Sequence, residues 1–387
     1  MRILLVFGTR PEIIKLGPVY RALNDAGADI DVFWSGQHVE LADGLLDLFG
    51  MTPTYRGAEV VLQMGLAGKH GVIMQQLDKI LREVRYDWVV VQGDTTTAAA
   101  AATAAFTSRV PVAHVEAGLR TGTIMSPWPE EFNRRVIGQA AALHFVPTAL
   151  ARDNLLKEGV GPRRIAVVGN TVVDALLYVR KRIGPGYAPR DPDVATLPAD
   201  KKLVLVTLHR RENIGEPMRD ILLALRDLGG DGDKIIALPV HLNPGVRADV
   251  KAVLGDAPNV RLLAPLFYGD FVHLMGRAWT VVTDSGGVQE EAPTFGLQIL
   301  IARESTERPE VIEAGFGTLV GSDRGKIVEG VRRLTEGSAR QLLPAHNPFG
   351  DGAASRRIAE CLTKSNVKPI ECYTSHPSNY TPRQASR

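Results

Sequence analysis

The first seven residues, MRILLVF, are an apolar run with a single charge, the pattern of a strand buried on both faces of a parallel sheet. Gly8, Thr9, Arg10 and Pro11 interrupt it, and a proline there suits the first turn of a helix. Apolar runs of strand length then alternate with helical periodicity. The pattern predicts a strand at 31–35, helices at 41–49 and 72–84, a strand at 88–92, a helix at 96–106 and a strand at 111–115. A helix at 130–143, a strand at 144–146, a helix at 149–158 and a strand at 164–168 follow. Gly169-Asn170 reads as a crossing point between domains, and residues 184–200, rich in Pro, Gly and Arg, have a linker-like composition.

A second cycle runs through strands at 203–207, 234–239, 260–263, 280–283 and 298–302, with helices at 217–228, 245–254, 270–277, 288–295 and 324–335. A last helix at 353–363 precedes a polar tail, 366–387, low in apolar residues and expected to be mobile or an extension. Alternation of this kind predicts βαβ units in doubly wound parallel sheets, and 387 residues exceed what one core usually holds. Two such domains are expected, with ligands in a cleft at the carboxyl ends of the strands.

Composition narrows the class rather than the chemistry. A charged fraction of 23% and a net charge of +2 give no nucleic-acid or anionic-membrane footprint, so anion binding has to come from local sites. Two cysteines, Cys361 and Cys372, are too few to staple the chain and fit a reducing compartment. With no secretory apolar segment and no apolar run near eighteen residues, a cytoplasmic enzyme is expected.

The candidate chemistry gathers where strands end. The segment 114–135, HVEAGLRTGTIMSPWPEEFNRR, joins a buried strand to a helix and carries Glu116, Glu130 and Glu131 beside Arg120, Arg134 and Arg135. Glu116, directly after the strand, is expected to be poorly hydrated and suited to general acid/base work; a buried ion pair with Arg120 is the structural alternative. Glu130 and Glu131 open a helix, where negative charge meets the dipole favourably. Asp94, in Gly-Asp-Thr-Thr-Thr after strand 88–92, is either a catalytic carboxylate or the N-cap of the next helix. The turn Gly8-Thr9-Arg10-Pro11-Glu12 offers a helix start to an anion. In the second half, His209-Arg210-Arg211 suits a diphosphate. His241 is a single histidine for which a structural role competes with a substrate contact. In Asp284-Ser285-Gly286-Gly287 the amides at a helix start can take phosphate oxygens, with Glu291 one turn on to accept from ribose hydroxyls. No dinucleotide fingerprint, P-loop or metal-ligand spacing is present in the sequence.

These motifs, in this order and over nearly the whole chain, resemble the non-hydrolysing UDP-N-acetylglucosamine 2-epimerases of bacteria. The resemblance rests on GTRPE from Gly8, GDTTT from Gly93, HVEAGLRTG from His114, SPWPEE from Ser126 and GNTVVDAL from Gly169. It continues through HRREN from His209, VHLNP from Val240, DSGGVQEEAP from Asp284, TERPE from Thr306 and NPFGDG from Asn347. It implies the GT-B architecture, two Rossmann-like domains at about 1–169 and 170–352, with the helix near 353–365 returning to the first. It also implies elimination of UDP to a bound 2-acetamidoglucal and readdition after C2 is reprotonated on the other face, without nicotinamide or metal. The catalytic set would be Asp94, Glu116, Glu130 and His209. Arg10, Lys15, Arg134, His241, Ser285, Gly286, Gly287 and Glu291 would bind substrate.

Relatives activated by their own substrate use a Gln-His pair followed by a further Gln, and an arginine near position 72. Gln37-His38 is present as the allosteric candidate, but Glu40 replaces the second Gln and no arginine lies near Val72. The resemblance further implies a cytoplasmic homodimer supplying UDP-ManNAc for cell-surface polysaccharide. Rival expectations are a 2-epimerase of a modified diacetamido UDP-sugar, a GT-B glycosyltransferase, a hydrolysing epimerase and a silent UDP-sugar-binding regulator.

Overall fold

Burial on both faces explains why the apolar runs become central strands: Ile3 through Phe7 are fully buried, as are Val204 through Val206 and Val281 to Val282. The computed structural model describes residues 1–36, 39–57, 64–210, 213–240, 244–344 and 346–364, with only the backbone course given for 39–43 and 244. Gln37, His38, His241, Cys372 and the 366–387 tail lie outside the described residues. The chain divides into two compact units, residues 1–171 with 353–387, and residues 172–352.

In the first unit β1 (Arg2–Phe7), α1 (Arg10–Asp25), β2 (Asp29–Trp34), α2 (Val39–Phe49), β3 (Tyr55–Arg56) and α3 (Leu66–Glu83) come first. They are followed by β4 (Trp88–Gln92), α4 (Thr96–Thr107), β5 (Val112–Val115), α5 (Glu130–Ala140), β6 (Ala141–Val146), α6 (Ala149–Lys157) and β7 (Ile165–Val167). The strands pair in the order β3-β2-β1-β4-β5-β6-β7, all parallel. One layer of helices sets α1 against α2 and against the last helix of the chain; the other sets α3 and α5 against α4. Alanine at 98–102, 104 and 105 lets α4 sit close to the core built on Leu4, Val6, Val89 and Val91.

The second unit takes most of α7 (Thr171–Ile183) and then α8 (Pro192–Ala195), β8 (Lys202–Thr207), α9 (Glu216–Gly230), β9 (Lys234–Pro239), α10 (Pro244–Leu254) and β10 (Val260–Leu263). It continues with α11 (Tyr268–Arg277), β11 (Thr280–Thr283), α12 (Gly286–Glu291), β12 (Ile299–Ile301), α13 (Pro309–Glu313), β13 (Gly317–Leu319) and α14 (Arg324–Leu334). Its parallel order is β10-β9-β8-β11-β12-β13, with α9 between α10 and α14 over the core of Val204, Val206, Leu222 and Leu225. The last helix, α15 (Ala354–Lys364), belongs to the first unit and packs on α1.

Several elements depart from the sequence pattern. The helix expected at 130–143 stops at Ala140, and Ala141 to Leu143 join the strand, because Ala-Ala-Leu suits either state and pairing with β5 decides it. Residues 171–183, directly after the Gly169-Asn170 crossing point and assigned no element from the pattern, form a helix. The 184–200 stretch lies inside the second unit and is tied down: Asp270 accepts from Tyr187 Oη at 2.7 Å and from the amides of Arg190 and Asp191 at 3.0 Å. The expected helix at 288–295 is α12 followed by a 3₁₀ turn, Ala292–Phe295. The short β3, α13 and β13 were not expected from periodicity.

Candidate active site

In each sheet the chain reverses its direction of growth once, between β1 and β4 and between β8 and β11, and such a switch point opens a crevice at the strand ends. In the first unit the turns after β1, β4 and β5 carry the predicted residues Arg10, Asp94 and Glu116. Glu116 follows β5 directly and sits at φ +60, a left-handed conformation costing a non-glycine residue about 1 kcal/mol or more. Its side chain is 4% exposed, and Lys15 Nζ from α1 lies 2.6 Å from both carboxylate oxygens. Gln92, the last residue of β4, donates to Oε2 from the neighbouring strand. The expected alternative partner, Arg120, is instead paired with Glu158 at 2.7 Å. Lys15, assigned to substrate from the family likeness, is held on a carboxylate of the protein.

Asp94 lies one residue beyond Gly93, and the N-cap of α4 is Thr95, whose hydroxyl accepts from Ala98 N–H at 3.0 Å. The capping alternative for Asp94 therefore falls, and its partly exposed carboxylate is instead held by Arg134, with Nε and Nη2 both 2.8 Å from Oδ2. Arg134 also reaches the fully buried Glu131 at 3.0 Å, and Arg135 contacts the same carboxylate at 3.5 Å, so Glu131 orients the cation that holds Asp94. Glu130, its neighbour, stays half-buried, and its carboxylate has no hydrogen bond or ion pair among the described residues.

In the turn after β1, whose helix start was expected to face an anion, the amides of Gly8 and Thr9 donate to Glu12 Oε2 at 3.0 and 2.8 Å. The hydroxyls of Thr9 and Thr95 also donate to this carboxylate at 2.8 Å. The protein supplies its own anion there; burial pushes the Glu12 carboxyl up to about 7 against these four donors.

Under this site His114 and His144 face each other on β5 and β6, with ring centroids 6.4 Å apart. Burial pushes His114 down to about 4 and His144 well below its ordinary value. A histidine neutral in the fold but free to charge when unfolded makes stability fall as pH drops. The loss begins below about 6.5, where the unfolded chain takes up a proton that the native ring refuses. For His114 the loss reaches about 3 kcal/mol by pH 4. Glu12, raised instead, works with the opposite sign between about 4.5 and 7, equally in wild type and in a His114 variant. In urea denaturation from pH 7 to pH 4.5 the stability of wild type is expected to fall more steeply with decreasing pH than that of His114→Gln. Parallel curves would contradict the buried neutral ring.

In the second unit Asp284, fully buried at the end of β11, organises the turn after β8. It accepts from His209 N–H at 3.1 Å, Arg210 N–H at 2.9 Å and Asn213 Nδ2 at 3.0 Å, and His209 Nδ1 lies 3.3 Å away. The His209 ring stays exposed. The sequence motif contained Asp284, but its role was missed: an acidic residue ending a buried strand was the available signal. Arg211 and Glu212 lie outside the described residues. Beyond Asp284, the amides of Gly286 and Gly287 meet no acceptor among the described residues.

A Cβ at Gly286 would come within 2.5 Å of Arg308 Cζ and displace that guanidinium, whereas Gly287 faces mostly open space. Arg308, a second residue not assigned from sequence, is held by Glu290 at 2.7 Å beside those amides. Glu291 is buried and receives Tyr268 Oη at 2.6 Å.

The family described as UDP-N-acetylglucosamine 2-epimerase matches residues 21–363. The UDP-N-acetylglucosamine 2-epimerase of Escherichia coli (strain K12) is 46% identical over 374 residues, covering 95% of this chain and all of that protein. The crystal structure of the Neisseria meningitidis UDP-GlcNAc 2-epimerase bound to UDP-GlcNAc superposes with a TM-score of 0.87 at 37% identity, covering 94% of this chain and all of that one. A glycotransferase of kitacinnamycin, 13% identical with a TM-score of 0.58 over 96% of this chain and 97% of its own, shares the fold alone, the GT-B type of two parallel-sheet α/β domains. With a family match over most of its length and relatives aligned nearly end to end, the chain belongs to the UDP-N-acetylglucosamine 2-epimerases, which are isomerases.

Proposed function

We propose that this enzyme interconverts UDP-GlcNAc and UDP-ManNAc by eliminating and re-adding UDP. The observation that carries the reading is the pairing at the first switch point: two carboxylates, Asp94 and Glu116, at neighbouring strand ends, each held by a cation, Arg134 or Lys15. The C2 proton goes to a carboxylate, its electron pair forms the C1–C2 double bond, and the C1–O pair leaves with UDP, giving 2-acetamidoglucal. In the return step a carboxyl delivers a proton to the other face of C2 while a UDP oxygen attacks C1. Proton transfer of this kind from a positioned group contributes roughly 10²–10⁴-fold.

Asp94, Glu116 and Glu130 are the acid/base and cation-stabilising set. His209 and Arg10 serve the diphosphate and sugar, while Lys15 and Arg134, assigned there by the family likeness, hold Glu116 and Asp94. Ser285, Gly286, Gly287 and Glu291 hold phosphate and ribose, where the unaccepted amides of Gly286 and Gly287 supply positive potential to the leaving group. His241 is assigned to substrate, and Gln37 with His38 to an allosteric UDP-GlcNAc, on the family likeness alone. The same likeness supports the domain limits near 169 and 352, a homodimer, a cytoplasmic setting and supply of UDP-ManNAc to cell-surface polysaccharide.

Proton NMR of the purified enzyme with UDP-GlcNAc in D2O, with neither nicotinamide nor metal added, is the test. Deuterium at C2 and UDP-ManNAc rising to a stable mixture are expected. Accumulating free ManNAc with UDP points to hydrolysis, and an unchanged spectrum removes UDP-GlcNAc as the substrate.

A further inference from the structure

We propose that His114 and Asn133 are positioning residues for Asp94, gripping the two carbonyls of the Gly93-Asp94 turn so that the carboxylate is presented in one orientation. The proposal rests on the reading of Asp94 as a catalytic carboxylate. Gly93 leaves β4 at φ +69, and its own N–H stays on the ladder, 3.0 Å from Val115 O. His114 Nε2 lies 2.8 Å from Gly93 O. A carbonyl only accepts, so that nitrogen carries the proton and the tautomer is fixed. Asn133 Nδ2 donates to Asp94 O at 2.8 Å from α5. With Arg134 on Oδ2, the turn is held through its amide, both carbonyls and its side chain by one segment, residues 114–134.

The cost of His114 argues that its donor matters. The ring is 1% exposed in the middle of a sheet, and its Nδ1 finds no hydrogen-bond partner among the described residues. Leaving a buried polar atom unpaired is expensive, and an aliphatic side chain would pack in a strand without that penalty. What an aliphatic side chain cannot do is reach Gly93 with an N–H. Asn133, 5% exposed on a helix, poses the same question and gives the same answer.

The experiment compares His114→Phe, His114→Gln, Asn133→Leu and Asp94→Asn in the C2 exchange assay with UDP-GlcNAc, alongside their melting temperatures. His114→Phe keeps an aromatic ring but lacks the donor; the Gln variant restores an N–H. His114→Phe and Asn133→Leu are each expected to lower kcat about 10- to 100-fold with KM within threefold of wild type, and His114→Gln to recover most of the His114 loss. Wild-type kcat in His114→Phe while Asp94→Asn is inactive overturns the proposal and leaves the Asp94 reading standing. Equal losses in His114→Phe and His114→Gln overturn it as well, since packing rather than a donor is then at stake. An active Asp94→Asn removes the catalytic reading of Asp94 itself. If His114→Phe does not fold, Asn133→Leu decides: undiminished kcat there overturns the grip on the turn.

Discussion

Glu116→Gln is expected to lower C2 proton exchange with UDP-GlcNAc by on the order of 10³-fold, measured as deuterium uptake, while leaving UDP binding within a few-fold of wild type. The amide has the size of the carboxylate but cannot take or give the proton. It also leaves the buried Lys15 ammonium against a neutral group, and breaking a buried ion pair from one side can destabilise by about 3–5 kcal/mol. A loss of activity through that route has to be separated from loss of the base. Lys15→Met provides the comparison, since it removes the ammonium and leaves the carboxylate. If Glu116 serves only to hold Lys15, the two single variants and the double variant fall to the same rate. If Glu116 moves the proton, Lys15→Met retains measurable exchange and the double variant is as inactive as Glu116→Gln. A Glu116→Gln enzyme exchanging at the wild-type rate would transfer the proton step to Asp94 or Glu130.

The sheets were legible in the sequence because doubly buried strands leave continuous apolar runs. The limits of β4, β9, β10 and β11 follow the pattern residue for residue, and the parallel fold follows from the alternation. Where apolarity does not choose between helix and strand, as at Ala141 to Leu143, pairing with β5 chose. Where strands were two or three residues long, as in β3 and β13, there was too little periodicity to see. Individual strand-end residues were also legible, because a carboxylate directly after a buried strand is conspicuous. Their partners were not. Lys15 lies 101 residues before Glu116, and nothing local joins them. Glu12, read as part of an anion-binding turn, filled that turn itself because its carboxylate reaches back to Gly8 and Thr9. Glu131 and Asp284 passed as helix-start and motif residues; only packing reveals that one orients Arg134 and the other folds the His209 turn.

Asp284→Ala is expected to damage stability and binding together, which distinguishes it from removal of His209 itself. Asp284 is fully buried and accepts from two backbone amides and the Asn213 side chain. Alanine leaves those donors unpaired, at about 1–3 kcal/mol each when water cannot reach them. Partial rehydration of the turn offsets some of this, so a loss on the order of 4 kcal/mol is expected, roughly 10 °C in melting temperature for a unit of this size. Without its anchor the turn no longer holds His209 beside the start of α12, and UDP affinity is expected to weaken at least tenfold by calorimetry. Asp284→Asn should behave nearly as badly, because its amide presents N–H groups to a ring of donors. His209→Asn, at an exposed position, should instead lower activity with little change in melting temperature. Wild-type melting and UDP affinity in Asp284→Ala would mean that the turn is held by something other than this carboxylate, and the assignment of Asp284 as its organiser would fail.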